Sequence, residues 1–147
     1  MENEDLKQLY KKWVAIWNGD SSLIDTIIAP NFIFHREGGQ PDWHGPEETR
    51  KMLAASRVPF SELTFHTTIG PIGENNLVVG RNEGTGIYQG GIPGAAAEKG
   101  TKVEMTGIDI LRVEDGKIVE CWHNSNDFSF MMQLKAVQML PSEQTKE

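Results

Sequence analysis

The chain is poor in the features that mark secreted, membrane-embedded or nucleic-acid-binding proteins. Its single cysteine, Cys121, excludes a disulfide within the chain, so a reducing compartment is expected. No apolar run approaches the roughly 20 residues that a membrane-spanning helix needs. The net charge is -7, and the absence of a Lys/Arg cluster argues against nucleic acid or an anionic membrane as the main partner. We therefore expect a cytoplasmic protein.

Two kinds of ligand-binding signature are also missing. The histidines His35, His66 and His123 have no spacing typical of metal ligands, so no metal site is predicted. The glycines of the segment 90–94 do not open a helix after a strand, as a phosphate-binding loop would require.

With 147 residues, 38% of them hydrophobic, the chain can form a domain with a sizeable core. We expect one domain over residues 1–140 and a disordered tail over 141–147.

Periodicity predicts helices in the first part of the chain and strands afterwards. The predicted helices cover 6–17, a short segment that ends before Pro30, 46–57, and a last stretch from 127 to 141. The predicted strands cover 32–35, 63–72, 77–85, 102–113 and 117–125. Strands joined by short hairpins are antiparallel neighbours. This order predicts an α+β domain in which a curved antiparallel sheet wraps around the helices.

The segment 107–127 carries an ionisable residue inside an apolar hairpin. Its Asp-Gly turn at 115–116 lies between two alternating segments, the strongest short-range signal for a β-hairpin. A regular ladder from this turn pairs Asp109 with Trp122, and opposed residues share a face of the sheet. The predicted shared face comprises Met105, Asp109, Leu111, Val113, Ile118, Glu120, Trp122, Asn124 and Asn126. A carboxylate opposite an indole and near two amides indicates the wall of a pocket.

The same register makes the opposite face of the hairpin apolar. That face carries Ile108, Ile110, Val119 and Cys121, which is too apolar a set to be left in water. We therefore expect a homodimer that forms through the outer face of the sheet.

Short motifs in a characteristic order run through most of the chain. They are Trp17-Asn18-Gly19-Asp20, Ile24-Asp25, Pro30-Asn31-Phe32 with His35, Gly45-Pro46-Glu47, GIDILRVEDGKIVECW over 107–122, and Gln133-Leu134. Over residues 6 to 135 the chain resembles the SnoaL-like polyketide cyclase (ester cyclase) family of the nuclear-transport-factor-2-like superfamily. The resemblance implies a cone-shaped α+β barrel with a cavity between sheet and helices, and no metal or organic cofactor. It also implies intramolecular aldol closure of a polyketide ester, with a pocket carboxylate as acid and base.

Three residues are candidates for catalysis. Asp109 is the first, because a carboxylate in apolar surroundings becomes a usable base; the alternative is a strand carboxylate satisfied by neighbouring donors. Asp127 is the second, and its alternative role is that of N-cap of the last helix. Family members usually carry an aspartate where this chain has Asn126. Since an amide does not take up a proton at neutral pH, Asn126 is expected to orient a carbonyl or hydroxyl group instead.

Substrate contacts are expected from residues spread over the chain. They are Trp17, His35, Tyr88, Glu120 and Trp122. Trp122 has an alternative role in the core, and Glu120 has possible partners in Arg81 and Arg112. The Gly/Ala-rich segment 88–100 is either a lid over the cavity or a solvated connection.

Two functions follow from these residues. The first is a cofactor-free enzyme that abstracts a proton next to the carbonyl group of a small, partly apolar compound, as a cyclase, isomerase or dehydratase does. The second is a non-catalytic ligand-binding or assembly domain that uses the same cavity. Fold alone does not decide between them, because one scaffold hosts many functions.

Overall fold

The structure, a computed structural model, describes residues 1–142 and forms four α-helices and one six-stranded sheet over that range. The helices are α1 (Asn3–Trp17), α2 (Ile24–Ile27, preceded by a 3-10 turn at Ser21–Leu23), α3 (Gly45–Arg57) and α4 (Asp127–Gln133). The strands are β1 (Ile28–His35), β2 (Trp43–His44), β3 (Phe60–Glu74), β4 (Leu77–Tyr88), β5 (Lys102–Glu114) and β6 (Lys117–Ser125). The α+β class is confirmed. Residues 143–147, part of the tail predicted to be disordered, lie outside the described range.

Two boundaries differ from the prediction for local reasons. Strand β1 begins at Ile28, so Pro30 lies inside the strand instead of marking the end of a helix. Proline is accommodated there because the pairing of β1 with β6 is interrupted between Ile28 and Ile33, so no ladder bond needs its missing N–H. Helix α4 ends at Gln133, well before Pro141, because Lys135 adopts a left-handed conformation with φ 56°.

The sheet is mixed and open, in the strand order β2-β1-β6-β5-β4-β3. The expected all-antiparallel sheet is wrong at one pair, since β1 runs parallel to β6. These two strands are far apart in the sequence, and the hairpin argument for antiparallel neighbours does not apply to them. No helix within residues 1–142 has both the length and the apolar character needed to cross a bilayer.

The register of the β5-β6 hairpin differs from the prediction because of a bulge. Val113 pairs with Ile118 as expected, but Arg112 pairs with Glu120, which leaves Val119 as an extra residue. A one-residue insertion moves all later side chains to the other face of a strand. Asp109 therefore lies opposite His123 and not opposite Trp122.

Helix α1 packs on the inner face of the sheet at a glycine. The ring of the fully buried Tyr10 lies over Gly80, where an added Cβ would come within 2.6 Å of the ring. The Tyr10 hydroxyl lies 3.1 Å from the Gly80 carbonyl oxygen. Gly80 pairs with Asp109 in the neighbouring strand, so this close approach also brings Trp13, one turn further along α1, to Asp109.

Candidate functional site

A pocket of about 480 Å³ opens between the inner face of the sheet and the helices. This volume lies within the range typical of small-molecule sites, about 300–1,000 Å³. Much of its wall is aromatic, with rings that include Trp17, Phe34, Trp43 and Phe65, and two ionisable side chains of the hairpin, Asp109 and His123, complete it.

Asp109 is buried and accepts two hydrogen bonds. Its side chain is reached by Trp13 Nε1, which donates to Oδ2 over 2.9 Å, and by His123 Nδ1, which lies 2.5 Å from Oδ1. The residue is only 3% exposed. A buried carboxylate normally has partners, and here each oxygen has one. The sequence-based alternative of a strand carboxylate satisfied by neighbouring donors is thus part of the observed geometry, and the catalytic role remains a proposal.

His123 connects Asp109 with the pocket. Burial opposes the charged imidazolium, but the hydrogen bond and the negative charge of Asp109 outweigh it, so the pKa of His123 is raised above its ordinary value. Asp127 acts in the same direction and Arg36 in the opposite one. A histidine with a raised pKa can both take up and release a proton near neutral pH.

Two neighbouring aromatic rings pack against the imidazole of His123. Its centroid lies 5.7 Å from that of Trp17 with an interplanar angle of 14°, and 5.5 Å from that of Phe34. Such contacts favour a cationic ring through the aromatic quadrupoles. The indole N–H groups of Trp17 and Trp43 are buried and have no partner within residues 1–142. They are donors that the described part of the chain leaves unused.

Three of the predicted substrate contacts lie on the other face of the sheet. His35 Nε2 is 2.7 Å from Glu120 Oε2, and the His35 ring stacks on Trp122 at 5.3 Å. The hydrogen bond from His35 lowers the pKa of Glu120, and Arg112 forms an ion pair with the same carboxylate at 2.5 Å. The prediction that Glu120 and Trp122 share a face with Asp109 is wrong, because the bulge reverses their orientation.

Asn126 and Asp127 lie at the rim of the pocket, where β6 gives way to α4. Asn126 is the N-cap of α4, and its Oδ1 accepts a hydrogen bond of 3.2 Å from the backbone N–H of Ser129. Asp127 is the first helical residue and accepts from the Ser125 hydroxyl. The capping role considered for Asp127 therefore belongs to Asn126, one residue earlier.

Tyr88 does not line the pocket. It is 1% exposed, it packs with Val103 and Leu134, and its hydroxyl accepts a hydrogen bond from the Ile92 backbone over 3.0 Å. Ile92 itself lines the pocket. The backbone N–H of Ala97 donates to the Leu134 carbonyl over 3.0 Å. The segment 88–100 is thus tied to the end of α4 and forms part of the pocket boundary.

Trp17, Asp109, Asn126 and Asp127 are the predicted site residues that the structure brings together around the pocket. His123 and Trp13 were missed. Trp13 carries no signal beyond its place in an apolar helical stripe. His123 had an indirect one, because the Arg112-Glu120 ion pair is a cross-strand contact only if the hairpin contains a bulge. Within residues 1–142, no three His, Cys, Asp or Glu residues are grouped so that they could hold a metal ion.

Comparison with known proteins gives a family and a fold. The sequence profile of the SnoaL-like polyketide cyclase family matches residues 7–134. No curated protein matches the chain. Among solved structures, TsrD from Streptomyces laurentii has a TM-score of 0.79 at 22% identity, covering 93% of this chain and 99% of its own. IdmH from Streptomyces antibioticus, a candidate polyketide cyclase, has a TM-score of 0.75 at 22% identity, covering 88% of this chain and 98% of its own.

A more distant similarity points to the same architecture. A protein from Catenulispora acidiphila with a ketosteroid isomerase-like fold, solved with trimethylamine, has a TM-score of 0.70 at 15% identity, covering 90% of this chain and 97% of its own. At these identities the likenesses establish the fold alone. The cone-like α+β architecture is confirmed by them.

Proposed function

Because this chain belongs to the SnoaL-like polyketide cyclase family, we propose that it is a cofactor-free, cytoplasmic enzyme that moves a proton next to a carbonyl group, as in an aldol cyclisation. Its substrate is a small, partly apolar carbonyl compound bound in the pocket of about 480 Å³. Residues 1–140 act as one domain in this proposal.

The hydrogen-bonded pair of Asp109 and His123 is the observation that carries the proposal. It places an acid–base group beside a largely apolar space, where a carbonyl compound can be held against aromatic rings. Trp17 supplies such a ring. Asn126 uses its Oδ1 to cap α4, which leaves its Nδ2 to donate to the oxygen of the developing enolate. Asp127, at the same rim, is the alternative base.

One observation favours the second function, a binding domain without catalysis. Asp109 is 3% exposed and both of its oxygens have donors, so this carboxylate is satisfied without a ligand. If His123 serves only to complete the core, the pocket binds a compound and leaves it unchanged.

The two functions are separated by hydrogen–deuterium exchange at the carbon next to a carbonyl. We expect wild-type protein in deuterated buffer to exchange the activated protons of 1-tetralone or ethyl benzoylacetate faster than buffer alone, followed by NMR. Heat-unfolded protein at the same concentration is the control for free side chains. Line broadening that shows binding, without accelerated exchange, would favour the binding domain.

We also propose a homodimer, with the second copy covering the outer face of the sheet. Cross-strand pairing places Ile72, Val79, Ile110 and Trp122 in one row on that face. Ile72 is 60% exposed and Ile110 is 38% exposed. Cys121 and Val119, which were expected in this patch, do not belong to it, because both are buried. Charges of both signs border this row, including Arg81 with Glu83 and Arg112 with Glu114, and they suit a self-complementary contact.

Ile110→Glu should convert the dimer into a monomer, because the substitution places a carboxylate in the centre of the apolar row, where it would be desolvated. Multi-angle light scattering measures the change in mass. Thr85→Lys, a charge added on the same face opposite Glu104, should leave the dimer intact. A wild-type protein that is monomeric, or a folded Ile110→Glu dimer, would contradict the assignment.

A further inference from the structure

The pocket wall contains a chain of three hydrogen-bonded side chains, Trp13, Asp109 and His123, of which only the last has a substantially exposed side chain. Within the proposed function, on which this inference rests, we propose that His123 Nε2 is the atom that exchanges protons with the ligand. Asp109 and Trp13 are then positioning residues that act through His123.

The first two members of the chain are almost completely buried. Trp13 is fully buried, and its indole nitrogen is a donor only, directed at Asp109 Oδ2 over 2.9 Å. Asp109 uses Oδ2 for Trp13 and Oδ1 for His123. At 3% exposure, Asp109 offers a ligand far less open surface than His123 does.

The carboxylate determines which nitrogen of His123 carries the proton. An ionised Asp109 only accepts hydrogen bonds, so Nδ1, 2.5 Å from Oδ1, is the protonated nitrogen in the neutral ring. The lone pair is then on Nε2. This atom has no hydrogen-bond partner within residues 1–142. Unlike the unpartnered Trp17 Nε1 and Trp43 Nε1, it is not fully buried. With a side chain that is 29% exposed, His123 opens to the pocket through Nε2.

The surroundings allow the His123 ring to be neutral or positively charged without moving. The rings of Trp17 and Phe34 pack against the imidazole, and Asp109 holds its Nδ1 edge. In the step, the Nε2 lone pair forms an N–H bond with the proton on the carbon next to the carbonyl. The C–H electron pair becomes the C=C bond of the enolate, and the carbonyl π electrons move to oxygen. In a cyclisation the enolate carbon attacks a second carbonyl of the substrate, and the resulting alkoxide takes the proton back from Nε2.

The pH dependence of exchange gives a first test. The neutral imidazole is the base, so exchange should rise as the pH rises through the pKa of His123. The charged groups that act on this ring are Asp109 and Asp127, which favour the imidazolium, and Arg36, which opposes it. Asp109→Asn should move the midpoint of the profile to lower pH, because it removes the main partner of the imidazolium.

Trp13→Phe should move the midpoint in the opposite direction. It removes a donor that stabilises the carboxylate, so Asp109 interacts more strongly with the imidazolium. Two buried substitutions with opposite shifts are not expected from a general loosening of the core. The NMR titration of His123 in each variant, without any ligand, should give the same two directions.

Chemical rescue tests the atom itself. We expect His123→Ala to exchange the protons of 1-tetralone about 100-fold or more slowly than wild type, within the range of general acid–base contributions. Added imidazole should restore much of the rate by entering the space left by the ring. His66→Ala, at a histidine on β3 that is 66% exposed, should match wild type with or without imidazole.

Each outcome has one meaning. Wild-type exchange with His123→Ala equally fast overturns the assignment of Nε2 and leaves the proposed function standing. Loss of exchange in folded His123→Ala without rescue by imidazole, together with a His123 pKa that Asp109→Asn does not lower, also overturns the assignment. Absence of exchange in wild type overturns the proposed function and this assignment with it. Loss of exchange in His123→Ala, its rescue by imidazole, and opposite shifts of the His123 pKa in Asp109→Asn and Trp13→Phe together support the assignment of Nε2.

Discussion

Asp109→Asn is expected to slow proton exchange in the pocket by about 10²- to 10⁴-fold without unfolding the chain. The carboxylate accepts from two donors, Trp13 Nε1 and His123 Nδ1. An amide of the same shape has one acceptor oxygen and one NH₂ group. If its oxygen serves Trp13, its NH₂ group faces Nδ1 and drives the His123 proton to Nε2, which then lacks the lone pair that a base needs.

NMR exchange with 1-tetralone measures this loss, and circular dichroism checks the fold. Asp127→Asn is the matched control, because Asp127 is exposed and accepts only from Ser125 in the described part of the chain. It should exchange nearly as fast as wild type, and α4 should persist because Asn126 provides its cap. If Asp127→Asn abolishes exchange and Asp109→Asn does not, the base is Asp127.

Trp13→Ala should lower the free energy of unfolding by about 3–5 kcal/mol, the usual range for deleting a buried tryptophan. The side chain is fully buried, and its ring lies 6.0 Å from Phe32 and 6.2 Å from Phe34, between centroids. Alanine leaves a cavity there and removes the donor from Asp109 Oδ2, which stays buried.

Urea unfolding followed by circular dichroism measures this change from the shift of the midpoint at constant slope. Trp13→Phe is the matched variant, because it keeps an aromatic ring and loses the indole N–H. It should cost clearly less than Trp13→Ala. A loss below about 1 kcal/mol for Trp13→Ala would mean that the contact between α1 and the sheet is not a main source of stability.

Local patterns in the sequence were sufficient to predict which segments form helices and strands, and to identify Asp109 as a candidate site residue. The apolar stripe that begins at Leu6 is a property of neighbouring turns, and it predicts α1. The Asp-Gly turn and the alternation around it predict β6 over the residues that the structure shows, Lys117–Ser125. The place of Asp109 inside an apolar hairpin predicts a carboxylate in a pocket wall, and its exposure of 3% agrees with burial. The order of the short motifs was also enough to identify the family.

The partners of Asp109 were decided by the tertiary structure. The extra residue Val119 shifts the register of β6 by one, and since the side-chain period of a strand is two, that single residue replaces Trp122 by His123 opposite Asp109. Alternation alone does not reveal a bulge, because the apolar run Ile118, Val119, Cys121 and Trp122 suits either register.

The other partner of Asp109 comes from a helix 96 positions earlier in the chain. No local pattern links Trp13 with Asp109; they meet because Gly80 lets Tyr10 approach the sheet closely, one turn away on the same helix. The sequence by itself determined that a buried carboxylate stands on β5 of a SnoaL-like domain. Only the packing of α1 and the bulge in β6 decided that this carboxylate faces an indole and an imidazole, because both contacts depend on where whole elements lie relative to one another.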